Sequence, residues 1–423
     1  MRSFVFAAAC LLTAAAAAST PAEPLLIAAE QIYTSPEAPP LANGLVLLRE
    51  GRIAAVADER SRIAVPAGTR TSECRGVVVA GFQNSHVHFM GGAFDSAAGR
   101  PAAEVEQAVE SMLTKYGFTT VVDTGSALAD TLSIRTRIEK GEIRGPRILT
   151  AGWPLYPKDG IPFYLRDLPK HVLDGLQQPA DAAEARADVR GNLAAGADAT
   201  KLFVHTSPDG TSPRFMALET ARAAADETHS KGKLVLAHPT SVEGIRGALA
   251  AGVDVIVHTT LGERVPWDEA LTREMVAKNM AVVPTFMLWP YELAKQNVPA
   301  EVIDRLVAAT LAELRSFVAA GGQVLFGTDV GYMREFDPTP EYVYMEKAGL
   351  TSAQILASLT TGPAKRWKED GRRGKIEPGM DADLVVLAAD PAADVRHFAQ
   401  VRCVFRAGKL IYASTPQAPV QVP

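Results

Sequence analysis

Cysteine is scarce in this chain: three residues in 423, Cys10, Cys74 and Cys403. That excludes a small disulfide-stapled scaffold and any zinc site built from paired cysteines. Basic runs are missing as well, and a formal net charge of −5 with 22% charged residues offers no electrostatic footprint for nucleic acid. Beyond Ala18 no apolar stretch approaches the roughly 20 residues that cross a bilayer, so no membrane span is expected. Short internal repeats are absent, and the one biased segment is a proline-rich tail after Ser414.

Residues 1–19, "MRSFVFAAACLLTAAAAAS", carry a positive start at Arg2, an apolar run from Phe4 to Ala18, and small residues at Ala16 and Ala18. This is the pattern of a secretory signal peptide removed near Ala18, which predicts a periplasmic or secreted protein. A retained anchor and lipid attachment at Cys10 are the competing readings. Removal takes Arg2 and no acid, moving the formal charge from −5 to −6. Cys74 and Cys403 remain. Two separate buried thiols are the expectation, with an export-compartment disulfide as the alternative.

The mature chain, about 400 residues and rich in apolar side chains, can bury a large core plus a smaller domain. Residues 20–75 read as short strands, with a hairpin turn at Glu50 and Gly51 inside "NGLVLLREGRIAAVAD". Residues 367–415 repeat that style in "DADLVVLAAD" and "VRCVFRAGKLIY", the latter turning at Ala407 and Gly408; 416–423 form a tail. Two β-rich ends predict one discontinuous β-sandwich. Residues 76–366 alternate strands and helices, with strand segments beginning at Val77, Thr119, Arg147, Ala199, Lys233, Val253, Met280 and Gln323. The predicted fold class is therefore α/β: a distorted (β/α)8 TIM barrel with a small β-sandwich domain formed by the N- and C-terminal segments.

Ionisable residues sit at the ends of these apolar runs. "VVVAGFQNSHVH" ends in His86 and His88, which share one side of a strand because side chains alternate. "DATKLFVH" holds Lys201, "KLVLAH" ends in His238, "VDVIVHTT" contains His258, and "QVLFGTDV" contains Asp329. His86, His88 and Asp329, from neighbouring first and last strands, could surround one divalent cation, and His238 with His258 a second. A buried Lys201 ammonium is pressed toward the neutral amine, which can add carbon dioxide to give a carbamate bridging both ions. Such a pair would share a water with its pKa lowered toward neutrality. The plainer alternatives are a surface lysine, core histidines and an Asp329 that caps the following helix. Asp123, ending "TTVVD", reads as a structural hydrogen-bonder beneath the site.

This six-residue set, together with "GADATKLF", "GALAAGVDVIVHTT" and "GKIEPGMDADLVVL", resembles the metal-dependent amidohydrolase superfamily, in its imidazolonepropionase-like and prolidase-like branch. The resemblance implies a carboxylated Lys201, two divalent ions (zinc), and an Asp329 that both binds metal and relays a proton from the attacking water to the leaving group. Enzymes that open the imidazolone ring use one metal and lack the strand-four lysine, so Lys201 argues against that activity. Pro239 and Thr240 follow His238 where dipeptidase-like relatives tend to carry a small residue.

Aromatic residues mark the loops expected over the mouth: Trp153, Phe163, Tyr164, Trp289, Tyr291 and Tyr332. His205, Arg264, Trp289 and Tyr332 are the candidate substrate contacts, with Arg264 and Arg334 placed to hold a carboxylate or else solvated. The resulting expectation is an exported hydrolase of an amide or related C–N bond in a small molecule such as an N-acyl amino acid, dipeptide or cyclic amide. Ester, lactone or phosphotriester hydrolysis is the second reading, and a non-catalytic periplasmic binding protein the third. The partner expected is a small molecule, and homo-oligomerisation is compatible with it.

Overall fold

Alternating aliphatic residues at both ends of the chain make strands whose apolar faces must be buried against something else. The computed structural model describes residues 23–58, 62–166, 168, 170–261 and 267–414. The segment 1–19 read as a signal peptide, Cys10, Arg264 and the tail lie outside these residues. The N-terminal region supplies β1 (Leu25–Ala28), β2 (Gln31–Ile32), β3 (Leu41–Ala42), β4 (Leu45–Arg49), β5 (Arg52–Ala57), β6 (Arg70–Thr71) and β7 (Val77–Ala80). The central region supplies β8 (Phe82–Val87), β9 (Phe118–Asp123), β10 (Arg147–Thr150), β11 (Ala199–Phe203), a short hairpin of β12 (His205–Thr206) and β13 (Arg214–Phe215), then β14 (Leu234–His238), β15 (Val255–Val257), β16 (Ala281–Val283) and β17 (Gln323–Val324). The chain returns as β18 (Leu384–Leu387), β19 (Val401–Arg406) and β20 (Lys409–Ala413).

The terminal strands form two sheets, ordered β5-β4-β1-β6 and β20-β19-β18-β7-β2-β3. Between them lies a core that includes Ile27, Ile32, Val46, Ile53, Val78, Leu384, Val386 and Phe405. Both hairpin turns fall where the sequence places them: Glu50 and Gly51 (φ 51 and 75) connect β4 to β5, and Ala407 and Gly408 (φ 47 and 73) connect β19 to β20. Positive φ at both central positions is the geometry whose twist matches a two-residue hairpin.

Val77–Ala80, expected as the start of the first barrel strand, pairs instead with β18 antiparallel and β2 parallel. Its pleat explains why: Val78 and Ala80 face the sandwich core, while Val77 and Val79 face the larger core of the central region. An apolar run buried on both faces looks the same whichever sheet holds its hydrogen bonds. The chain crosses between the two bodies at Gly81, where any Cβ would meet Thr119 Oγ1 at 2.2 Å and Asp383 Cβ at 3.0 Å. The expected pair of separate thiols is also overturned, because Cys74 and Cys403 form a disulfide with Cα atoms 6.3 Å apart. Burial alone could not predict this. The order β19-β18-β7 carries Cys403 to the segment just before β7, inside the same sandwich core.

Each of the eight parallel strands of the central region runs toward one common end. They are divided into an arc of three, β8-β9-β10, and an arc of five, β11-β14-β15-β16-β17. The arcs are hydrogen-bonded at both seams. Ser85 N donates to Phe326 O (2.7 Å), Asp329 N to His86 O (2.9 Å) and His88 N to Val330 O (2.8 Å); opposite, Leu155 N donates to Lys201 O (2.9 Å) and Phe203 N to Leu155 O (2.8 Å). Helices return the chain between strands, as at Ala182–Ala195, which Asp181 caps by accepting from Ala183 N and Glu184 N and which ends at Gly196 with φ 112. At the opposite end of the strands, buried Arg373 pairs with Asp381 (2.7 Å) and Glu369 (3.3 Å). No helix among the described residues is long and apolar enough to cross a membrane.

The disulfide links residues separated by 329 positions, so it removes many conformations from the unfolded chain. Replacing both partners (Cys74→Ser with Cys403→Ser) is expected to cost about 2–5 kcal/mol of unfolding free energy, read from urea denaturation of the sandwich. An unchanged midpoint would show that the bridge contributes nothing.

Candidate active site

Strand ends deliver the six ionisable side chains named above to one cavity of about 510 Å³, lined among others by His86, His88, Lys201, His238, His258 and Asp329. Within it three potential ligand atoms meet. His86 Nε2 and His88 Nε2 lie 3.2 Å apart, and Asp329 Oδ1 lies 3.2 Å from the first and 3.0 Å from the second. All three residues have these atoms within 4.8 Å of one another.

The tautomers follow from the partners. His88 Nδ1 is 2.8 Å from Gly125 O, and a carbonyl only accepts, so Nδ1 carries the proton and Nε2 presents a lone pair. That lone pair approaches a carboxylate oxygen which, despite its closeness to two nitrogens, receives no aligned hydrogen bond. A lone pair facing an anionic oxygen in a buried site is unfavourable without a positive charge between them. The donor set of two imidazoles and one carboxylate therefore fits a divalent cation.

His258 is prepared in the same way. Thr285 Oγ1 donates to Pro284 O (2.8 Å) and so accepts from His258 Nδ1 (2.5 Å), leaving His258 Nε2 as the free acceptor. The ring centroids of His86 and His258 are 4.8 Å apart and those of His258 and His238 4.6 Å. His238 in turn stacks on Phe203 at 4.6 Å. Burial lowers the imidazole pKa of His86 to about 4, against the pull of Asp329, and holds His238 and His258 well below the ordinary histidine range. All three are neutral at pH 7, which is the form that binds metal.

Lys201 is 1% exposed, with Nζ 5.0 Å from the Phe203 ring centroid. Burial pushes its pKa down to about 8, although Asp329 and Asp123 oppose the shift. Asp123 accepts from Ser126 Oγ (2.6 Å), Thr131 Oγ1 (2.9 Å) and Thr150 Oγ1 (2.8 Å), the structural role read from the sequence. His258, Asp329 and Thr285 adopt φ of 75, 63 and 47. Left-handed backbone at non-glycine residues is costly and tends to cluster at functional sites.

Toward the mouth, Trp289 Nε1 donates to Thr259 Oγ1 (2.8 Å) and the Tyr332 hydroxyl donates to Glu292 Oε1 (3.0 Å); both aromatic residues line the cavity. Tyr164 meets Tyr332 edge-on at 6.0 Å. His205, expected to touch substrate, does not line the cavity. Its Nδ1 engages Thr240 Oγ1 (2.9 Å) and Ser241 Oγ (3.0 Å), and its ring stacks on Phe215 at 4.4 Å. The alternation of β11 does not continue into β12, which turns away to pair with β13. Arg334 lines the mouth and donates to Met90 O (3.2 Å). Sequence reasoning missed Thr285 and Glu292. Thr285 carries the one available signal, a polar residue just past the apolar run "AVVP".

An α/β chain with its histidine and aspartate cluster at the ends of parallel strands is of the amidohydrolase type. It belongs to the amidohydrolase family, whose model matches residues 77–411. Ochratoxinase from Aspergillus niger is 23% identical over 257 residues, 57% of this chain and 51% of that one. An uncharacterised protein of Mycobacterium tuberculosis is 28% identical over 191 residues, 40% of this chain and 45% of that one. The chain thus spans about half the length of the curated relatives it matches. Among solved structures, a putative prolidase from Bifidobacterium longum superposes with a TM-score of 0.77 at 27% identity, over 94% of this chain and 97% of that one. A Xaa-Pro dipeptidase with bound methionine gives 0.77 at 23%, over 93% and 100%, and A. niger ochratoxinase 0.75 at 20%, over 92% and 96%. These superpositions show a shared fold.

Two outcomes follow. Thr285→Val removes the acceptor at His258 Nδ1 and is expected to weaken divalent-metal binding about 10–100-fold in chelator competition, with Thr285→Ser close to wild type; equal affinity in all three proteins would contradict the assigned tautomer. In chelator-treated protein, the depressed imidazoles refuse protons that the unfolded chain takes up near its ordinary pKa of 6.5. Stability is therefore expected to fall as pH is lowered from about 6.5 to about 4, and a urea midpoint at pH 5 equal to or above that at pH 7 would contradict it.

Proposed function

We propose that this chain is an exported binuclear metallohydrolase that cleaves an amide or related C–N bond of a small molecule. The observation that carries it is the meeting of His86 Nε2 and His88 Nε2 with an Asp329 Oδ1 that receives no aligned hydrogen bond, while His238, His258 and Lys201 line the same cavity. His86, His88 and Asp329 would hold one ion and His238 with His258 the other, and the imidazole-rich donor set suits zinc. Lys201, as its carbamate, would bridge them; a pKa near 8 leaves a useful fraction of neutral amine to react with carbon dioxide. When bound, the ions supply Lewis acidity and bring a water molecule's pKa toward neutrality.

The protein's own groups do the rest. Asp329, as a carboxylate beside the bound ion, would take the proton of the attacking water and release it to the departing nitrogen. Trp289, Tyr332, Tyr164 and Phe163 give the cavity apolar walls, which suit a substrate with a bulky hydrophobic group and exclude bulk water from the reacting bond. The seams between the two arcs support one distorted (β/α)8 barrel, because their hydrogen bonds join the ends of the three-stranded arc to those of the five-stranded one. Export is supported by the disulfide, which belongs to an oxidising compartment.

A hydrolysis screen of N-acyl amino acids, dipeptides and cyclic amides, with esters and lactones as a parallel arm, tests the assignment. Asp329→Asn is expected to lower kcat by about 10²–10⁴ on whichever amide is turned over. Equal turnover by the two proteins would remove Asp329 from its role, and turnover confined to esters or lactones would replace the C–N assignment.

A further inference from the structure

Glu341 is fully buried on the helix Thr339–Lys347 and belongs to none of the groups that line the cavity. Its two oxygens accept separate backbone bonds, Oε1 from Phe286 N at 3.0 Å and Oε2 from Met287 N at 2.9 Å. Those N–H groups follow immediately on Thr285, the left-handed residue with its hydroxyl on His258 Nδ1. They also open the helix Leu288–Lys295, which carries Trp289 to Thr259, the neighbour of His258 in the chain. No cation pairs with Glu341 among the described residues, and burial pushes its carboxyl up to about 8 although the two N–H bonds oppose the shift. A fully buried carboxyl is costly to desolvate, and these two backbone bonds are what it is held by.

We infer that Glu341 is the positioning residue for His258: by clamping Phe286 and Met287 it fixes Thr285 where its oxygen must accept from His258 Nδ1, so that Nε2 is presented to the site. Three successive strand units are thereby coupled, with the helix after β17 setting the turn after β16 that orients the histidine after β15. Without the clamp the 285–287 turn is free to leave its strained conformation. The imidazole then exchanges between its two tautomers.

Protein labelled with ¹⁵N at histidine, free of metal and at pH 7, provides the test, with His258→Gln used to assign the signal. Wild type is expected to show the Nδ1–H tautomer at His258, and Glu341→Ala a mixture of both. Zinc affinity by chelator competition should fall about 10–100-fold in Glu341→Ala, with Glu341→Gln, which keeps one acceptor, in between. A wild-type His258 signal in Glu341→Ala, or lowered thermal stability with unchanged tautomer and zinc affinity, would overturn the inference. Should the alanine variant fail to fold, Glu341→Gln carries the same comparison. Only the affinity arm rests on the metal-binding role proposed for His258; the tautomer arm reads the geometry alone, so a chain that binds no zinc would refute that proposal and leave this one standing.

Discussion

A buried carboxylate oxygen that lies against two imidazole nitrogens without an aligned hydrogen bond governs this protein. Two imidazole nitrogens and a carboxylate oxygen are held within about hydrogen-bond distance of a common point, yet the tautomer assigned to His88 places no proton between its Nε2 and the oxygen. In a low-dielectric interior that arrangement is repulsive unless a cation balances it. Much of the surrounding architecture can be understood as holding those atoms in place. Asp329 is tied through its backbone N–H to His86 O, so the last strand is registered on the first by the residues that meet. His88 and His258 are each fixed at the far nitrogen, by a carbonyl and a threonine hydroxyl respectively.

The scaffold resists the strain in two ways. Left-handed backbone at His258, Thr285 and Asp329 is confined to the ends of buried strands, where packing leaves few alternatives. Behind the strands, β7 belongs to the sandwich by hydrogen bonding and to both cores by packing, and the Cys74–Cys403 bridge anchors the segment that enters it. The terminal domain thus fixes the position of β8, the strand that carries His86 and His88.

Much of this was legible in the residues themselves. A strand exposes alternate side chains to one side, so His86 and His88 had to point together, and apolar runs ending in Lys201, His238, His258 and the segment before Asp329 marked the strands that converge. What could not be read depended on partners distant in the chain. The four residues Val77–Ala80 are apolar on both faces and fit either sheet, so only pairing with β18 decides the matter. Cys403 is 329 residues from Cys74, and no local pattern brings them together. His205 lost its expected place because the short β12–β13 hairpin redirects the chain after β11, and Thr285 and Glu292 became visible only when loops of separate units were packed side by side.

Anomalous diffraction from crystals of protein purified without chelator distinguishes a cation from a proton at this meeting point. One strong peak is expected, enclosed by His86 Nε2, His88 Nε2 and Asp329 Oδ1, and a second beside His238 and His258. Ordered side chains in these positions with no peak among them, and Asp329 hydrogen-bonded to protonated imidazoles, would contradict the two-ion site.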